Sequence, residues 1–284
     1  MAFLPALCVL WAGMANSADS TVAKPLRIVS LAPNLTELTF SAGAGAQIVG
    51  TVEYSDYPQA ARSIPRIGDA FRIDFERVLA LRPDVVLAWE SGTPQNVIDR
   101  LRALQLNVRV LATYRIADIG AATREIGVIG GTTPIAEQAA KQFDNDIEVL
   151  RRQYSARPAI SVFLQINDRP VFTVNGKQIM SQAIALCGGR NVFGELNDLA
   201  PEVGEEAVLA ADPQVIIATD NSGHDALDHW RHWQSMSAVR SGNLYVLPPD
   251  DLARPTIRLA RGAAEICRTL ETARAKTKPA GDGR

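Results

Sequence analysis

The chain has 284 residues, 47% hydrophobic and 21% charged, with a formal net charge of −2. That length exceeds what one typical core needs and suits two lobes of about 110–120 residues each, with the composition of a water-soluble globular protein. The near-neutral balance, with no long basic run, argues against nucleic acid as a partner.

Residues 3–15 are mostly apolar and lead into Ser17, Ala18 and the polar Asp19-Ser20. This reads as a secretory signal over residues 1–18, too short in its apolar part to span a bilayer permanently. Cys8 lies inside the run and would leave with it. Cys187 and Cys267 remain, an even pair in an oxidising compartment. A disulfide between them is expected, and two buried free thiols are the alternative.

Residues 26–31 (LRIVSL) form a short buried strand, Leu35, Leu38 and Ala42 one face of a helix, and residues 48–52 the next strand. The polar, aromatic loop 53–58 (EYSDYP) follows at a strand's C-terminal end, where ligands sit in open α/β sheets. Tyr54 and Tyr57 are there either to touch a ligand or to pack on the lobe. Residues 74–81 are helical, Pro83 breaks the helix, and residues 85–88 read as a strand covered on both faces. Trp89 ends it, as a core plug or as one wall of a cleft. A helix over 94–104, a strand over 108–111 and a helix over 116–129 complete an N-terminal lobe, residues 26–131. Alternating strands and helices imply a parallel sheet.

Residues 132–157 are read as a bridge. Thr133 and Pro134 start a helix whose apolar residues Ala139, Phe143, Ile147, Leu150 and Tyr154 keep a helical spacing, and Pro158 ends it. At 1.5 Å per residue it runs on the order of 35 Å, enough to join two lobes without folding into either. The C-terminal lobe, residues 158–274, begins with a strand over 160–165, then a hairpin over 171–174 turning at Asn175-Gly176 and carrying Phe172. Helices over 178–186, 225–233 and 256–273 and strands over 215–218 and 244–247 follow. The loop 248–255 (PPDDLARP) carries Asp250 and Arg254, and residues 275–284 are expected to be disordered.

The lobes share an internal repeat. Residues 74–89 (DFERVLALRPDVVLAW) and 204–219 (GEEAVLAADPQVIIAT) align without a gap, matching at Glu76/Glu206, Val78/Val208, Leu79/Leu209, Ala80/Ala210, Pro83/Pro213, Val85/Val215 and Ala88/Ala218. One structural unit is used twice. A second echo pairs GAGAQIVG (43–50) with CGGRNVFG (187–194). The fold expected is therefore α/β: two similar lobes with parallel central sheets joined by one long helix.

No phosphate loop, G-x-S-x-G elbow, H-E-x-x-H or C-x-x-C occurs, so no enzymatic activity is expected. His224, His229 and His232 fall within nine residues. They are a metal site, sensory or enzymatic, or one solvated helix face whose buried side is Trp230 and Trp233, and the neighbouring Asp225 and Asp228 favour the latter. Glu76 and Glu206 lie in the first turns of equivalent helices, where the helix dipole favours a carboxylate. Beyond that ordinary role, two symmetric carboxylates suit a two-fold partner presenting paired basic residues.

Through the segments YSDYP (54–58), FERVLALRPDVVLAW (75–89), VFLQ (162–165) and CGGRNVF (187–193), the chain resembles the class III, helical-backbone periplasmic binding proteins of ABC importers over about residues 26–272, closest to the cobalamin binders among them. The resemblance implies a periplasmic, monomeric receptor with no resident cofactor. Its cargo, cobalamin or a related corrinoid, would lie between the lobes against Tyr54, Trp89, Phe172, Asp250 and Arg254. It also implies a Cys187–Cys267 disulfide, and docking of Glu76 and Glu206 on arginines of an inner-membrane permease dimer. Flat aromatic walls suit the faces of a corrinoid, and Asp250 and Arg254 suit its amide side chains. Two positions depart from the pattern: Ala70 and Ala200 stand where some cobalamin binders carry tryptophan, with Phe71 able to fill one gap. A haem or ferric siderophore is the alternative cargo.

Overall fold

Both copies of the repeat fold into the same helix and strand, and each strand joins a sheet of the same topology. The computed structural model describes residues 25–69, 71–219 and 225–277. The expected signal segment with Cys8, as well as Ala70, His224 and residues 278–284, lies outside them.

The N-terminal lobe runs β1 (Ile28–Ser30), α1 (Pro33–Ser41), β2 (Ile48–Thr51), α2 (Phe75–Ala80), β3 (Val85–Trp89), α3 (Gln95–Ala103), β4 (Val108–Leu111) and α4 (Ile116–Ile129). The long helix α5 (Thr133–Tyr154) leads to the C-terminal lobe: β5 (Ile160–Gln165), β6 (Asn167–Asp168), β7 (Val171–Phe172), α6 (Ile179–Leu186), β8 (Gly189–Asn191), α7 (Glu205–Ala211), β9 (Val215–Thr219), α8 (Ser237–Arg240), β10 (Leu244–Leu247) and α9 (Leu259–Thr277). The parallel sheets have the orders β2-β1-β3-β4 and β8-β5-β9-β10. Val85 pairs with Ile28 on the first central strand and Val215 with Val162 on the second, so matched repeat residues occupy matched places.

Side chains alternate across each strand. Ile28, Val85 and Leu87 face one core while Val29, Val86 and Ala88 face another with Val78 and Leu101 of α2 and α3. In the second lobe Val162, Leu164 and Ile217 face inward, and Phe163, Ile216 and Ala218 face outward against Val208 and the fully buried Trp230. The two inward faces belong to one continuous apolar core, joined through Phe143 and Ile147 of α5 and Ile266 and Leu270 of α9.

That continuity corrects the expectation that the long helix joins the lobes without folding into either. Helix α5 buries Ala136, Ala140, Phe143, Ile147 and Tyr154 and packs along its length on α4 and also on α9. Gly127 and Ala136 let α4 and α5 approach closely, since a Cβ at Gly127 would stand 2.2 Å from that of Ala136. Arg124 then bridges the pair to Glu137 at 2.7 Å and Asp144 at 2.9 Å. A helix with an apolar stripe along its whole length must bury it, and both lobes supply the cover.

Four local details differ from expectation. The second lobe's hairpin pairs β7 with β6 and turns at Arg169-Pro170 rather than at Asn175-Gly176. Asn175 opens a separate turn into α6, its Oδ1 accepting from Lys177 N at 3.0 Å, while its amide holds the loop after β8, donating to Leu196 O at 3.0 Å and Asn197 O at 3.2 Å. The helix expected over 225–233 is a single 3-10 turn, Asp228–Trp230. Trp230 draws this segment onto the sheet, its indole N–H donating to Gln165 Oε1 at 2.7 Å. In the echo of the glycine-bearing turns, Ile48-Val49 opens β2 whereas Val192-Phe193 follows β8. Helix α9 runs on to Thr277, into the segment expected to be disordered, with Lys276 Nζ donating to Gly242 O at 2.7 Å. Cys187 and Cys267 are bonded, their Cα atoms 4.8 Å apart, tying the end of α6 to α9.

Candidate functional site

Trp89 is fixed at the C-terminal end of β3 by three constraints. Its backbone N–H donates to Thr93 Oγ1 at 3.0 Å, and its indole N–H donates to Thr113 Oγ1 at 2.8 Å. Gly92 lies against the ring, where a Cβ would fall 2.1 Å from the indole Cε3. The half-buried indole thus presents itself to a cavity of about 170 Å3 between the lobes. Ser91, Thr113 and Tyr114 line it from the first lobe, and Lys177, Gln178, Ile179, Leu199 and Ala200 from the second, with Ala253 and Pro255.

Polar ties span the lobes around this cleft. Gln182 of α6 accepts from Ile116 N at 3.2 Å and donates to Tyr114 O at 2.6 Å and Lys177 O at 2.9 Å. Elsewhere Arg258 makes a two-pronged bond to Glu37 of α1, at 2.7 and 2.9 Å, and reaches Asp251 at 3.2 Å. The Glu37 side chain is 1% exposed and that of Arg258 11%. Burial pushes the Arg258 guanidinium toward losing its proton, but the Glu37 bond and the charges of Glu37 and Asp251 outweigh it and hold the pKa above the ordinary value. The same guanidinium lies 4.0 Å over the Tyr57 ring.

The loops 53–58 and 248–255 therefore meet across the lobes. Buried hydroxyls brace the first: Thr51 Oγ1 donates to Ser55 Oγ at 2.8 Å and lies 2.6 Å from Thr36 Oγ1, and Arg66 donates to Ser55 O at 2.9 Å. Arg254 then bonds Asp56 Oδ1 at 2.7 Å, joining positions 198 residues apart. Burial raises the Asp56 carboxyl, yet the hydrogen bond and charge of Arg254 outweigh it and leave the group below the usual carboxylate range.

Of the residues singled out from the sequence, Trp89 lines the cavity and Arg254 stands between two lining residues, Ala253 and Pro255. Tyr54 is 78% exposed in a left-handed backbone conformation (φ 63°), so it does not pack on the lobe. Asp250 is exposed on the 3-10 turn Pro249–Asp251, and half-buried Phe172 lies in β7; neither lines the cavity. Lys177, Gln178, Tyr114 and Thr113 were not anticipated. Lys177 and Gln178 lie inside the C-terminal lobe's stretch of chain, where no local pattern marks which loop faces the other lobe.

Glu76 and Glu206 are both exposed, each in the first turn of its helix, and among the described residues neither joins an ion pair. His229 packs on Trp230 with ring centroids 4.3 Å apart and His232 on Trp233 at 5.2 Å. Burial lowers the His229 pKa, Glu205 and Asp168 opposing it. Among the described residues no group of three His, Cys, Asp or Glu side chains is placed to hold a metal ion.

Residues 28–251 match the periplasmic binding protein family. The chain is 33% identical over 261 residues to the vitamin B12-binding protein of Vibrio cholerae, covering 89% of this chain and 93% of that one. The crystal structure of the periplasmic vitamin B12 binding protein BtuF of Vibrio cholerae superposes with a TM-score of 0.82 at 32% identity, over 88% of this chain and 98% of that one. A periplasmic heme binding protein from Pseudomonas aeruginosa follows the same path at a TM-score of 0.73 and 25% identity, over 86% and 92% of the two chains. With two matching lobes, a cleft between them and a family match over most of its length, this chain belongs to the periplasmic binding protein family.

Proposed function

We propose that the protein captures cobalamin or a related corrinoid in the cleft between its lobes and delivers it to an inner-membrane ABC permease, acting in the periplasm as a carrier and not as an enzyme. The observation that carries the reading is the placement of Trp89, a rigidly held aromatic wall, in an apolar cleft between the lobes. The identity to a vitamin B12-binding protein over nearly the full length supports it.

The cavity of about 170 Å3 is smaller than the roughly 300–1,000 Å3 of sites for drug-sized ligands. A corrinoid must therefore extend into the mouth of the cleft, between loops 53–58 and 248–255. The exposed Tyr54 ring suits such a contact: a non-glycine residue held at positive φ costs about 1–3 kcal/mol, and strain of this kind gathers at binding sites. Asp250 and Arg254 would meet the amide side chains, Arg254 by exchanging its bond to Asp56 for one to the ligand. Glu76 and Glu206, exposed at equivalent helix starts, would dock on basic residues of the permease.

Isothermal titration of the mature protein with cyanocobalamin tests the reading. The expected result is one site with a micromolar or tighter dissociation constant, and heat only at millimolar ligand would overturn it. The likeness to a heme binding protein makes haem the second cargo to try. The absorption spectrum of protein taken from cells separates corrinoid, haem and ferric chelate.

A further inference from the structure

We infer that Lys177 selects for an anionic group, a phosphate or a carboxylate, carried on a side chain or loop of the macrocycle that enters the cleft. This rests on the proposed function and adds a residue and a chemical preference to it. Among the described residues that line the cavity, Lys177 is the charged one, and the others are apolar or neutral. Its backbone is held at both ends: the N–H donates to Asn175 Oδ1 at 3.0 Å, and the carbonyl accepts from Gln182 Nε2 at 2.9 Å. Its ammonium makes no hydrogen bond or ion pair among the described residues, so an anchored main chain delivers an uncommitted cation to the cleft.

A second cation beside the cleft is already paired. Arg254, between two lining residues, is neutralised by Asp56 at 2.7 Å. A ligand with neutral edges can exchange into that pair without changing the net charge. An ammonium crowded by a flat apolar ring loses water, and only an opposite charge on a side chain or loop of the ring offsets the loss. Cobalamin carries such a group in the phosphodiester of its nucleotide loop, and haem carries two carboxylates. Both present anionic oxygens that a lysine pairs with as a point charge.

The test is titration of wild type, Lys177→Gln and Lys177→Arg with two corrinoids: cyanocobalamin, which has the phosphodiester, and dicyanocobinamide, which lacks the nucleotide loop. Lys177→Gln should weaken cyanocobalamin about fivefold, the scale of a partly exposed ion pair, and leave cobinamide within about twofold. Lys177→Arg should restore most of the loss, and the salt dependence of cyanocobalamin binding should flatten in the Gln variant. Equal weakening of both corrinoids, or of neither, overturns the assignment. If wild type binds no corrinoid, the proposed cargo fails, and the same comparison with haemin and its dimethyl ester decides on Lys177. Binding of neither pair sinks both readings.

Discussion

Replacing Glu37 by Gln removes the negative half of the buried tie between the lobes while keeping its shape. The Arg258 guanidinium, 11% exposed, would then face a neutral amide at this end and keep Asp251 at 3.2 Å as its charged partner, with the face of Tyr57. Breaking one partner of a buried pair costs about 3–5 kcal/mol because a charge is left without compensation. The surviving Asp251 contact puts this case at the low end, near 3 kcal/mol. At roughly 2–4 °C per kcal/mol for a chain of this size, the melting temperature should fall by about 6–12 °C. Circular dichroism melts at pH 7 in low and high salt provide the assay, and the drop should be nearly salt-independent, since buried charges are poorly screened. The double variant Glu37→Met with Arg258→Met should recover much of the loss, because apolar replacement of both partners removes the stranded charge. A fall of less than about 2 °C, or one that disappears in high salt, would mean that the pair is exposed and the lobes are held together by other contacts.

Further outcomes follow from the same geometry. Trp89→Ala should weaken cyanocobalamin binding by tenfold or more by isothermal titration, whereas Thr113→Val, which removes the bond holding the indole N–H, should cost a smaller factor; a Trp89 variant that binds as wild type would place the ligand elsewhere. Glu76→Arg combined with Glu206→Arg should leave binding intact and abolish transport in reconstituted permease vesicles, and loss of binding would mean that these carboxylates belong to the cleft. His229 has its pKa lowered from 6.5, chiefly by burial, so the unfolded chain takes up a proton more readily than the folded one. Stability should therefore fall as pH drops below about 6.5 toward the lower folded pKa. In urea titrations from pH 7.5 to 5, His229→Gln should flatten that slope, and an unchanged slope would refute the assignment.

Much of the fold was legible because it rests on near neighbours along the chain. Strands over 108–111, 160–165 and 244–247 and the helix over 116–129 coincide with β4, β5, β10 and α4. Periodicity and glycine or proline boundaries act locally, and the duplicated segment required its two copies to share a topology. Segments whose conformation is set by distant partners were not legible. Asn175-Gly176 reads as a hairpin turn and does turn the chain, Gln178 N–H donating to Asn175 O at 3.3 Å, but it leads into α6, and the Asn175 amide ties that turn to Leu196 and Asn197. Residues 225–233 read as a helix until Trp230 is drawn against Gln165.

Sequence alone settled that two similar α/β halves flank one long helix, and it put an aromatic residue, Trp89, at the end of a strand where a cleft could form. Tertiary structure decided what stands around that residue. The bonds between Arg254 and Asp56, Arg258 and Glu37, and Gln182 and Tyr114 join positions 198, 221 and 68 residues apart. No periodicity spans such separations. Each pair forms only because the shared apolar core presses together surfaces that are distant along the chain, and that packing leaves the Lys177 ammonium uncommitted at the cleft while Arg254 is taken.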